Sequence, residues 1–144
     1  MLKLDIKQSD IKKTESSIEA IINKRMLEVE KASIESLKTM EAEAVASAPS
    51  GRTGRLKSSI KWEQVGKLNY QLRADAPYAA YVEFGTGPYF KNYPGKESFW
   101  QKKAKEYFKT GKGTTYPRPY FYPTVTKNII KLRERIKNIL GKNA

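Results

Sequence analysis

After position 50 the acidic side chains are Glu63, Asp75, Glu83, Glu97, Glu106 and Glu134, and these are the groups with which this sequence would do acid–base work. Two carboxylates held at the right separation can hydrolyse a glycosidic bond. Glu83 is the one expected to be partly buried, because Val82 and Phe84 flank it. A buried carboxylate is either an acid of raised pKa or, more often, the partner of a nearby cation. The structural role is the favoured reading, with Arg52, Arg55 and Arg118 as the natural partners.

Other chemistries lack their residues. The chain has no Cys and no His. That excludes thiolate nucleophiles, disulfides, Cys- or His-ligated metals and the usual general base near neutral pH. The glycine motifs do not cradle phosphate either. Gly111-Lys112 is followed by Gly113 where a P-loop needs Ser or Thr, and Glu106 stands at the place of its first Gly. Gly85-Thr-Gly-Pro-Tyr-Phe lacks the third glycine of a dinucleotide fingerprint. No catalytic residue, cofactor or metal site is therefore expected, and the chain reads as a non-enzyme.

Charge points to a neighbour. The formal net charge is +13 over 144 residues, and it is unevenly placed. Residues 1–50 hold 8 Lys/Arg against 9 Asp/Glu, whereas residues 51–144 hold 20 against 6. Nucleic acid, an acidic protein surface or solubility alone would each suit such a half. Residues 88–115 interleave seven lysines with aromatics that include Phe99, Trp100, Tyr107 and Phe108. Lysines neutralise phosphate and aromatic faces stack on bases, so a basic DNA-binding module outside any virion is the alternative function. A subunit contact is the favoured reading of these aromatics, because no recognised nucleic-acid module is present.

These groups must be positioned by elements. Leu2, Leu4 and Ile6 alternate with charges, which predicts a half-buried N-terminal strand. Ser9 or Asp10 can cap a following helix. From there to about Ala48 the chain has no Gly, Pro or aromatic residue, and Ile11, Ile18, Ile22, Met26, Val29, Leu37, Met40 and Ala44 form one apolar stripe. A helix of about 36 residues, about 54 Å long, is more than a small core needs. Part of the stripe, with Ile18, Ile22, Val29 and Leu37 as candidates, is therefore expected to meet another subunit. The alternative is a kinked helix, or two, folded back within the chain. Pro49-Ser50-Gly51 ends the helix, and Thr53 can cap a short turn. Alternation in Ile60–Glu63 and Leu68–Asp75 around Gly66-Lys67 predicts a hairpin. Pro77 can open a short helix through Phe84. Tyr116–Pro123 is extended by its prolines, as a candidate third strand. A last helix carries Val125, Ile129, Leu132, Ile136 and Ile139, with Thr124 as cap and Gly141 as stop.

The expected fold class is α+β: a small antiparallel sheet packed by a long first helix and an amphipathic last one. One domain is expected over residues 1–144, with an excursion at about 88–115. No apolar run is long enough for a membrane span, and the start lacks a signal-peptide block, which suggests a protein made in a cytoplasm.

Three motifs recur in a familiar order. Thr53, Gly54, Leu56, Ser59 and Ile60 fit T-G-x-L-x-x-S-I; Tyr78, Ala79, Val82, Glu83, Phe84, Gly85 and Thr86 fit Y-A-x-x-V-E-F-G-T; Arg118 and Pro119 fit an R-P-F-like segment in which Tyr120 replaces Phe. In this the chain resembles the gene-product-ten-like family of siphophage neck or tail-completion proteins. The likeness spans nearly the whole chain, apart from the Ser-Gly-Arg before Thr53 and the long 88–115 excursion. It implies a non-enzymatic virion protein, assembled in the host cytoplasm into a homo-oligomeric ring at the head–tail junction. Its implied partners are other copies of itself, head-closure or connector proteins, tail terminator or tube proteins, and packaged DNA facing the basic half, with no membrane. The motif residues would be architectural.

Overall fold

The computed structural model describes residues 2–5, 7–92 and 113–142. Helix α1 runs over Gln8–Ser47 as one continuous element of 40 residues, about 60 Å long. Helix-favouring Glu, Lys and Ala fill it. The Asp10 carboxylate accepts the Lys7 N–H at 3.2 Å and sits in the first turn, where negative charge complements the helix dipole. At the other end the Ala48 N–H still donates to the Ala44 carbonyl before Pro49 stops the run.

Short helix α2 spans Arg55–Ser58 and leads into a hairpin of β1, Ile60–Gly66, and β2, Asn69–Ala74. The strands are antiparallel, with Ile60 opposite Ala74 and Trp62 opposite Leu72, and the register shifts between Gln64 and Gly66. The turn is one residue later than the alternation predicts. Leu68 belongs to it at φ +52, so β2 begins at Asn69. Helix α3, Ala79–Phe84, a 3-10 turn at Gly87–Asn92 and a final helix α4, Tyr122–Leu140, complete the described elements.

Helix α4 lies antiparallel on the second half of α1. Lys142 meets Glu28 at 3.6 Å, Arg135 meets Glu35 at 2.6 Å and Lys127 meets Glu43 at 3.1 Å, in reverse order along the two helices. Asn128, almost fully buried in this seam, donates to both Glu43 and the Thr124 carbonyl. The hairpin joins α1 through the Trp62 N–H, which donates to Glu41 at 2.8 Å. Ala44 of α1, Ala48 just past its end, Leu56, Ile60, Ala76, Ala79 and Tyr120 form the core.

Three expectations are corrected. The N-terminal residues make no strand: Leu2–Asp5 are irregular, with Leu2 103% and Leu4 84% exposed. Residues 113–120 form no strand either, so the sheet is two-stranded among the described residues. Pro117 and Pro119 withhold N–H groups at alternate positions, which a ladder would need. Thr124 is not the cap of α4; that place belongs to Phe121, and the Thr124 hydroxyl donates back to the Tyr120 carbonyl. The predicted excursion, with Phe99, Trp100, Tyr107 and Phe108 and the basic helix expected at Glu97–Lys109, lies outside the described residues.

Candidate functional site

Glu83 is the centre of the motif region. It sits near the end of α3 and is 2% exposed. Oε2 accepts the N–H groups of Tyr120 at 2.8 Å and Phe121 at 2.9 Å, and Oε1 accepts that of Tyr122 at 3.2 Å. These three amides open α4, where backbone N–H groups have no intrahelical acceptor and the helix dipole is positive. A carboxylate from another element thus does the capping that Thr124 was expected to do. Hydrogen bonds to a charged acceptor contribute about 1.5–3 kcal/mol each, which offsets the cost of burying the charge. Backbone amides therefore hold Glu83 where the sequence suggested an arginine side chain.

The neighbouring residues extend this into a clasp between two chain segments. The Arg118 N–H donates to the Val82 carbonyl at 2.8 Å. The Thr86 N–H donates to the Thr115 carbonyl at 2.8 Å, and the Thr115 N–H returns to the Thr86 hydroxyl at 2.9 Å. Gly85 has φ +75, and a Cβ there would lie 2.7 Å from both the Pro117 nitrogen and the Thr115 carbonyl oxygen. Only glycine permits that approach. Gly87, at φ +57, is pressed more closely still on the Gly113 carbonyl.

The first motif meets the clasp through the core. Leu56 is buried beside Tyr120, and Phe84 stacks on Tyr122 with ring centres 5.5 Å apart. Tyr120 is 2% exposed, and its hydroxyl donates to the Ala79 carbonyl at 3.4 Å. Burial, and then the Glu83 charge, push its phenol well above the ordinary tyrosine range, so it remains a neutral donor. Gly54, at φ +64, begins α2, Thr53 accepts the Arg55 N–H at 3.4 Å, and Ser59 donates to the Leu56 carbonyl at 2.7 Å. Tyr78 and Arg118 are exposed and Pro119 is half-buried. A cleft of about 320 Å³ lies where the three motifs meet, lined by Pro49, Ser50, Gly51, Leu56, Tyr78, Val82, Thr115 and Arg118.

The expected contact residues on α1 divide by position. Ile18 and Ile22 are exposed, Val29 is half-buried, and Leu37 is buried inside the subunit. Sequence reasoning missed Glu41, Glu43 and Asn128, which join the elements. Asn128 did leave a signal, as a polar residue beside the apolar stripe of α4. Among the described residues no group of three or more acids converges as a metal site, and no helix is long and apolar enough to cross a membrane.

What the residues define is a small α+β protein whose motif side chains hold turns and helix ends, with one long helix half bare. The chain belongs to the HK97-gp10-like family, described as a bacteriophage tail component, whose model matches residues 8–85, more than half of the chain. It is a phage structural tail protein of that family. The match stops at Gly85, so the 113–122 half of the clasp and all of α4 lie beyond it. Neither a curated protein nor a solved structure matches the chain.

Proposed function

We propose that this protein is a neck or tail-completion subunit of a long-tailed phage, and that copies of it form a ring at the head–tail junction. One observation carries this reading beyond the family: the first half of α1. Every described residue from Lys7 to Lys24 is exposed, including Ile11, Ile18, Ile21 and Ile22. Isoleucines repeated on a helix that covers no core of its own are suited to a subunit contact. Ring neighbours would be head-closure or connector proteins on one side and tail terminator or tube proteins on the other. The motif residues act as architecture in this reading, and the protein performs no catalysis.

Electron microscopy of the protein mixed with purified tails tests it. A ring capping the tail end is the expected image. A protein that stays monomeric and leaves tails bare would overturn the proposal.

A further inference from the structure

We infer that the bare tip of α1 in one copy docks on the outer face of α4 in the next copy, so that subunits join head to tail. The inference rests on the ring reading above and names the surface that builds it.

Among the described residues the body ends abreast of Arg25, whose guanidinium donates to the Lys142 carbonyl at 2.9 Å. Among the described residues no hydrogen bond or ion pair to another element reaches nearer the N-terminus than this. Residues 8–24 of α1 therefore project about 25 Å beyond α4. On this tip Ile11, Glu15, Ile18 and Ile22 share one stripe by helical spacing, with Glu19 at its border. Ile18 and Ile22 are 50% and 52% exposed.

The α4 helix offers the complement. Its inner face, with Leu132, Ile136 and Ile139, is turned to the body. Its outer face aligns Ile130, Arg133, Lys137 and Leu140, and the two apolar ends are 58% and 57% exposed. Both stripes are apolar at their ends; between them the tip carries Glu15 and Ile18, with Glu19 alongside, and α4 carries Arg133 and Lys137. Their lengths also agree, at about 17 Å from Ile11 to Ile22 and about 15 Å from Ile130 to Leu140. Lys137 already meets Glu134 at 3.3 Å, but an exposed pair of this kind is worth little and exchanges readily.

The two stripes of one copy cannot meet without breaking the continuous α1, because the tip points away past residue 142. The contact must form between copies. Two different surfaces, one on each partner, make a heterologous interface, which propagates until it closes as a ring.

Complementary blocking tests this in the full chain. Ile18→Asp with Ile22→Asp disables the tip, and Ile130→Asp with Leu140→Asp disables the α4 face. Each double variant should assemble at least about tenfold more weakly than wild type in sedimentation velocity. Mixed together they should form a dimer and stop there, because one good tip meets one good face. As a second measurement, Glu15→Lys with Glu19→Lys should weaken assembly, and adding Arg133→Glu with Lys137→Glu to the same chain should restore it.

An α4 variant that assembles like wild type while the tip variant does not would mean tips bind each other, and would overturn the inference. Rings from both variants alone would also overturn it and leave the ring reading standing. A wild-type protein that neither forms oligomers nor caps tails would remove the ring reading, and this inference with it.

Discussion

At the scale of single residues, Glu83 shows how a motif acid can be structural. Its burial was legible from Val82 and Phe84, but its partners were not. Every residue except proline carries a backbone N–H, so only the crossing of two chain segments decides which three amides reach the carboxylate. Glu83→Gln turns an amide donor towards those donors, and should lower unfolding stability by about 1–3 kcal/mol in urea. Glu63→Gln, at a half-buried acid paired with Arg73 outside the clasp, should stay within about 1 kcal/mol of wild type, and equal losses at both positions would refute the clasp. Gly85 gives a second comparison. Both Gly85 and Gly51 have positive φ, but a Cβ on Gly51 meets nothing within 4 Å. Gly51→Ala should therefore cost about 1 kcal/mol for its backbone alone. Gly85→Ala should cost clearly more, about 2 kcal/mol or above, as it also presses on Thr115 and Pro117.

At the scale of elements, the seam between α1 and α4 depends on acids. A hydrogen bond from Arg135 holds the Glu35 carboxyl below its usual range, and bonds from Asn128 and Lys127 do the same for Glu43. A carboxyl whose folded-state pKa is depressed adds stability in full above its unfolded value. That stability is lost as pH falls through the lower folded value. The seam should thus keep its strength at neutral pH and weaken below about pH 4.5, the ordinary value for Glu. Thermal melts across pH 3–7 check the sign, and Glu43→Gln should flatten the acid limb; a melting point that rose on acidification would contradict the seam's role. The pairing itself was not in the sequence. The apolar stripe of α4 was readable from its spacing, and all five predicted positions are at least partly buried. Which helix it would face depended on Glu28, Glu35 and Glu43 falling opposite Lys142, Arg135 and Lys127, and such charges look like solvent-facing residues in a linear reading.

At the scale of the whole molecule, the two halves of α1 have different tasks. Residues 25–47 carry α4, the hairpin and the core, while residues 8–24 touch no other described element through a hydrogen bond or ion pair. Removing residues 1–22 should leave the melting point within about 3 °C of wild type, because no core residue is lost. The same truncation should abolish assembly by sedimentation and binding to tails by microscopy. A truncated protein that unfolds would show that the tip folds back on the body. One that assembles normally would place the subunit contact elsewhere.

The sequence by itself determined that this chain has no Cys or His chemistry, that it opens with a long helix and closes with an amphipathic one, and that a hairpin lies between them. It also marked Glu83 as the acid that would be buried. These follow from composition and from local periodicity, which neighbours along the chain settle among themselves. Only the tertiary structure decided that the N-terminal alternation makes no strand, that the proline-rich segment serves as the second half of a clasp, and that Glu83 caps a helix it does not belong to. Each of these depends on what lies opposite. An alternating segment becomes a strand only where an edge with free amides stands beside it, and a carboxylate becomes a cap only where a helix end is brought to it.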